Sequence, residues 1–387
     1  MSSPSLPTFR LKEKTLLPIV QGGMGVGISA HRLAGAVAGC GAVGTIAGID
    51  LRRHHADLMA ETERCRDRAK IEAANLVALD REIKAAKKVA KGCGMIAVNV
   101  MRAVSQYADC VRQACASGAD AIVMGAGLPL DLPELAAPWP EVALIPILSD
   151  SRGVAVVLKK WQRKGRLPDA IIIEHPGYAG GHLGAAKVDE LYAPRFDFQT
   201  VLVEVFEIFL ELGIDRERIP VILAGGIHTH AQVRALLALG ASAVQIGTPF
   251  AVTTEGDAHP NFKKVLAEAK PQDIVTFMSV AGLPARAVLT PWLQKYLQRE
   301  PRLRALARPD RGRCTLAWDC LSHCGLRDGD PKSGQFCIDQ QLAAALRGDV
   351  AKGLFFRGSE SLPFGEAIRS VAELLDYFLT GLRPEMA

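Results

Sequence analysis

Residues 231–250 read Ala-Gln-Val-Arg-Ala-Leu-Leu-Ala-Leu-Gly-Ala-Ser-Ala-Val-Gln-Ile-Gly-Thr-Pro-Phe. Over 231–239 the apolar residues recur every three to four positions, which predicts a helix with one buried stripe. Gly240 ends that helix, because a residue without Cβ enters a left-handed cap at little cost. After the short step Ala241-Ser242, the run 243–246 has strand character, and Gly247-Thr248-Pro249-Phe250 turns the chain out again. Helix, glycine, strand and glycine-rich turn together make one β/α step.

The same device returns in Gly118-Ala119-Asp120-Ala121 and, more loosely, in Gly39-Cys40-Gly41-Ala42. Short apolar runs occur at 17–21, 42–47, 96–101, 121–124, 143–148, 170–174, 220–224 and 243–246, separated by helical periodicity at 30–38, 79–89, 107–115, 154–161, 201–212 and 231–239. Strands with almost no polar alternation belong in a parallel sheet whose faces are both covered. Eight of them predict an α/β protein closed as a (β/α)8 TIM barrel, with a doubly wound open sheet as the alternative. The barrel is expected over 1–290 and a C-terminal helical extension over 291–387. A charge-dense helical excursion follows the second strand at 51–92, and the extension carries a cysteine-rich loop at 314–337 before helices at 338–346 and 366–379.

Composition bounds the function. The 387 residues are 49% hydrophobic and 22% charged, which excludes a disordered or collagenous chain. A net charge of +5, spread along the chain, argues against a nucleic-acid partner. No apolar run reaches the roughly 18 residues of a membrane span, so no membrane partner and a cytoplasmic location are expected. Nine cysteines, an odd number in a long chain, suggest reduced thiols or a metal site.

In such a barrel the chemistry sits at the C-terminal ends of the strands. Gln21-Gly22-Gly23-Met24-Gly25 follows the first strand and lets backbone N–H groups approach a planar or anionic ligand. Gly225-Gly226 follows the seventh strand and Gly247-Thr248 the eighth, where barrel enzymes hold a phosphate; Gln245 lies just before. Gly25-x-Gly27-x-x-Ala30, with Asp50 about twenty residues on, also fits a dinucleotide fingerprint, but that fold predicts neither the second glycine pair nor eight units. After the sixth strand stands Glu174-His175-Pro176-Gly177-Tyr178-Ala179-Gly180-Gly181-His182. A histidine set among glycines marks His182 as the candidate catalytic residue, suited to proton abstraction or to hydrogen-bonding an anion. Asn99 is a polar residue in an apolar strand, and Glu174 ends another.

Taken together, Gln21-Gly22-Gly23-Met24-Gly25, Val98-Asn99-Val100-Met101, Ala179-Gly180-Gly181-His182-Leu183-Gly184, Ala224-Gly225-Gly226-Ile227 and Gln245-Ile246-Gly247-Thr248-Pro249-Phe250 resemble the nitronate monooxygenase family, formerly called 2-nitropropane dioxygenases, itself similar to FMN-dependent enoyl-acyl-carrier-protein reductases. The resemblance implies an FMN-binding barrel that oxidises alkyl nitronates or nitroalkanes with O2 to carbonyl compounds and nitrite. It implies a phosphate site at Gly225, Gly226, Gly247 and Thr248, and a flavin ring near Gly22, Gly23, Met24 and Asn99, beside Gly180 and Gly181. His182 matches the family's catalytic histidine, and Tyr178 stands where better-known members carry an acid. Two alternatives remain: an NAD(P)H-dependent FMN reductase of an enoyl thioester or a quinone, and a non-catalytic FMN-binding subunit. A homo-oligomer is open.

Cys314, Cys320, Cys324 and Cys337 put four thiols within 24 residues, with His323 beside one of them. That density suits zinc or an iron–sulfur cluster; the missing Cys-x2-Cys knuckle leaves reduced cysteines in a compact loop as the other reading.

Overall fold

Eight parallel strands close on themselves in the computed structural model, which describes residues 6–384 apart from 310, 311, 313 and 317. They are β1 (Ile19–Gln21), β2 (Val43–Ala47), β3 (Met95–Met101), β4 (Ala121–Gly125), β5 (Ala143–Leu148), β6 (Ile171–Glu174), β7 (Val221–Ala224) and β8 (Ala243–Ile246). Gln245 of β8 lies opposite Val20 of β1, which completes the ring and removes the open-sheet alternative. Each strand buries both faces, which explains the unbroken apolar runs. Residues such as Val20, Ala97, Val123, Ile145, Ile172 and Ala243 fill the barrel, while Val98, Ile122, Leu144 and Ile173 pack outward against helices.

The helices follow the predicted order: α1 (His31–Gly39), α2 (Arg68–Ala90), α3 (Tyr107–Ala116), α4 (Ser151–Gln162), α5 (Phe198–Glu211) and α6 (His230–Leu239). After β4 only the single turn Leu132–Leu135 forms, because Pro129, Pro133, Pro138 and Pro140 punctuate that segment. The excursion after β2 is the short helices Leu51–His54 and Ala56–Thr62, leading into α2.

The two mouths of the barrel are treated differently. A hairpin of Phe9–Leu11 and Lys14–Leu16 sends Phe9, Leu11 and Leu16 into the interior cluster and closes the N-terminal mouth. Over the C-terminal mouth lies a small antiparallel sheet not foreseen from sequence: β9 (Ile274–Met278) pairs with β10 (Pro284–Val288), and β10 pairs with Gly181–His182. The extension supplies α7 (Pro291–Leu306), α8 (Ile338–Leu346) and α9 (Val371–Thr380). Between α8 and α9 the chain returns to the mouth, where Phe356 bridges to Ala287 of β10. Among the described residues no helix is long and apolar enough to cross a membrane.

Candidate active site

A cavity of about 300 Å³ opens at the C-terminal mouth. Gly22, Gly23, Met24 and Gly25 reach it from the end of β1, Asn99 from β3 and Glu174 from β6. Gly180, Gly181 and His182 come from the loop after β6, Gly225 and Gly226 from the turn after β7, and Gln245, Gly247 and Thr248 from β8 and its turn. Every residue singled out for cofactor or catalysis therefore lines one cavity. Of the four tail cysteines only Cys320 reaches it.

The glycines are there for two separate reasons. Gly225 and Gly226 have φ of +102° and +75°, and a Cβ on Gly226 would stand 2.7 Å from the Cβ of Tyr178. Gly23 has ordinary backbone, but a Cβ there would fall 2.4 Å from that of Asn99, so its absence is what lets Asn99 share the surface.

His182 is held by the added sheet. Its Nε2 lies 2.7 Å from Oγ of Ser279, and that oxygen also accepts the N–H of Ala281 at 3.1 Å. Ser279 is fully buried, and its hydroxyl proton has only Nε2 to go to. The serine therefore donates to Nε2, and in the neutral imidazole Nδ1 carries the proton. Among the described residues Nδ1 makes no hydrogen bond, and His182 lines the cavity. Burial pushes the imidazole down to about 4, so it is neutral across the physiological range. Phe356 packs edge-on against the ring at 5.5 Å.

Two further residues of the cavity lining carry polar groups without partners among the described residues. Glu174 pairs with no cation among the described residues, and enclosure pushes its carboxyl up to about 7. Oε1 of Gln245 is buried and accepts no hydrogen bond. Arg357 also lines the cavity; its Nε donates to the carbonyl of Leu266 at 2.9 Å and its Nη1 to that of Gly358 at 3.1 Å, with no carboxylate bridged to it. The N–H of Gly358 donates to Oγ1 of Thr248 at 3.0 Å, joining this strand-like return to the turn after β8.

The sequence profile of the nitronate monooxygenase family matches residues 9–379. The chain belongs to the nitronate monooxygenase family. Over 130 residues it is 32% identical to a probable nitronate monooxygenase of Bacillus subtilis, covering 34% of this chain and 35% of that relative. A probable nitronate monooxygenase of Staphylococcus saprophyticus is 30% identical over 125 residues, 32% of this chain and 33% of the relative. The matched stretch thus spans about a third of the length of these curated relatives. Among solved structures, FabK from Thermotoga maritima superposes with a TM-score of 0.63 at 23% identity, covering 94% of this chain and 91% of that one. A nitroalkane oxidase from Streptomyces ansochromogenes gives 0.62 at 21%, covering 93% and 94%. These two likenesses establish the barrel and its extension as a shared fold.

Two expectations change. Cys314, Cys320, Cys324 and Cys337 are not brought into a metal centre: among the described residues no three His, Cys, Asp or Glu side chains are arranged to hold an ion. Cys320 and Cys324 instead pack beside Leu321, Phe336 and Ile338, and Cys337 caps the start of α8. All four are free thiols, and burial pushes those of Cys320, Cys324 and Cys337 up. His323 faces Ser333, Asp328 and Asp330. Asp50, the acid of the dinucleotide alternative, is buried against Arg52 at 2.8 Å and against Arg53, whose Nη2 reaches Asp339 of α8 at 2.6 Å.

Sequence reasoning missed Ser279, Phe356 and Arg357. The last two carried a signal: Leu354-Phe355-Phe356-Arg357-Gly358 is again an apolar run followed by a turn glycine.

Proposed function

We propose that the protein is an FMN-dependent nitronate monooxygenase that oxidises an alkyl nitronate with O2 to a carbonyl compound and nitrite. The carrying observation is His182 on the cavity lining, neutral and hydrogen-bonded through Nε2 to Ser279, which leaves Nδ1 available for a ligand. A nitronate is already deprotonated and concentrates charge on its oxygens; a fixed N–H donor suits it better than a neutral nitroalkane, which needs a base.

The cavity fits FMN on features of this chain. The unpartnered Oε1 of Gln245 can accept a ring N–H, the glycine wall admits a planar ring against backbone, and the turns at Gly225–Gly226 and Gly247–Thr248 supply amides for a phosphate, with Arg357 nearby. When bound, FMN supplies the electron transfer to oxygen. The protein's share is to orient the nitronate by the Nδ1–H of His182 and to exclude water with Phe356 and the small sheet. Below about pH 7, Glu174 is neutral and adds no second negative charge beside the anion.

The test is the anaerobic visible spectrum of the purified protein mixed with an alkyl nitronate, compared with NADH and NADPH. Bleaching of a flavin band by the nitronate alone is expected. Bleaching by the nicotinamide alone moves the chain to the reductase reading, which its likeness in fold to FabK keeps open. A spectrum without flavin overturns both.

A further inference from the structure

The glycine-rich part of the cavity lining is backbone and amide, but another part is of a different kind. Ile49 and Met101, from the ends of β2 and β3, meet Cys320, Leu342 and Phe356 of the extension, and all five line the cavity. They pack on one apolar cluster whose core, including Leu321, Ile338 and Leu354, is buried, whereas these five are only half-buried. Half-buried apolar surface inside an enclosed site is unspent hydrophobic area, and a ligand's apolar part gains by covering it.

The lobe begins at the reacting position, since Phe356 is the ring against His182. Ile49, Met101, Leu342 and Phe356 have no donor to offer an anionic tail. Asp339, the charged residue beside Leu342 on the cavity wall, is negative and held by Arg53, and Arg357 turns its Nε and Nη1 to the carbonyls of Leu266 and Gly358. A substrate with a carboxylate a few bonds from its reacting carbon would leave that charge unpaired here.

We infer that this lobe is the specificity pocket for an extended, unbranched apolar chain attached to the reacting carbon, so that medium-chain alkyl nitronates are preferred over short or carboxylate-bearing ones. The inference rests on the proposed nitronate reaction for the identity of the head group, and on the lobe alone for the chain. Leu342 and Phe356 would read its length.

The experiment uses the flavin-loaded protein and two series. In the first, kcat/KM is measured for nitronates of straight 1-nitroalkanes from two to eight carbons, with a carboxylate-bearing nitronate as comparison. In the second, calorimetry follows binding of straight-chain alkanols of the same lengths, which need no turnover. We expect kcat/KM and affinity to rise by about fourfold per added methylene until the lobe is full, with the carboxylate-bearing nitronate well below its alkyl counterpart. Leu342→Trp should lower the eight-carbon to two-carbon ratio at least tenfold, and Leu342→Ala should move the optimum to longer chains should the tryptophan variant not fold. Flat profiles in both series, or preference for the carboxylate, overturn the inference. If no nitronate reacts while alkanol binding still climbs with length and falls in Leu342→Trp, the lobe stands and the nitronate reading fails.

Discussion

The two walls of the cavity are made by opposite means. The barrel wall presents glycines, amides and a carboxyl at the ends of parallel strands, where removal of side chains brings backbone to the surface. The extension wall presents Leu342, Phe356 and Cys320, where side chains supply the contact. A group common to a whole family can be gripped through backbone, which varies little in shape; selection among substrates needs side chains that can be exchanged singly. On the function proposed above, the glycine-rich strand ends would hold the cofactor and the side chains of the extension would choose the substrate.

The largest effect that would break this division is expected at the turn after β7. Gly226→Val places a branched side chain at φ +75° against Tyr178, and should yield a folded but colourless protein, read from the ratio of 450 nm to 280 nm absorbance with circular dichroism as control. A yellow variant with full flavin content would move the phosphate site elsewhere. Next, His182→Ala should keep flavin and lose roughly a hundredfold or more in kcat/KM on a pre-formed nitronate, in the range of one lost oxyanion donor. Activity unchanged on the nitronate would remove the donor role.

Ser279→Ala sharpens the same point at smaller scale. Without the serine hydroxyl the imidazole is free to place its lone pair at Nδ1, so turnover of neutral nitroalkane relative to nitronate should rise several-fold. A constant ratio would show that Ser279 does not set the tautomer. The smallest effect concerns Glu174. Its carboxyl ionises near 7, so KM for a nitronate should climb as pH rises through 7 by roughly threefold to tenfold, and Glu174→Gln should flatten that climb. A profile identical in both proteins would place the titration on another group.

Much of the barrel is legible because its strands are buried on both faces. The run 121–124 needs no partner to be read, and the structure extends it only to Gly125. The glycine wall is legible for the same local reason, a turn glycine directly after β1, β7 and β8. The added sheet is not: Arg286 stands in the middle of β10, and its place there is explained by carbonyls of Pro176 and Ala179 more than a hundred residues earlier. Ser279 is likewise ordinary in sequence and acquires its part through His182, 97 positions away. Of the two readings of the tail cysteines, closeness along the chain could not choose: among the described residues no group of three ligands could hold an ion, and Cys320 and Cys324 pack against an apolar cluster.

Arg53 sits between Asp50 and Asp339, so the start of α8 cannot lift from the barrel without stranding charge where little water reaches. The extension is thereby tied into the cooperative unit of the barrel. Amide exchange in α8 should slow together with that of β2, heating should give one transition with no early loss of the cysteine-rich segment, and substrate must enter past loops and not by withdrawal of that helix.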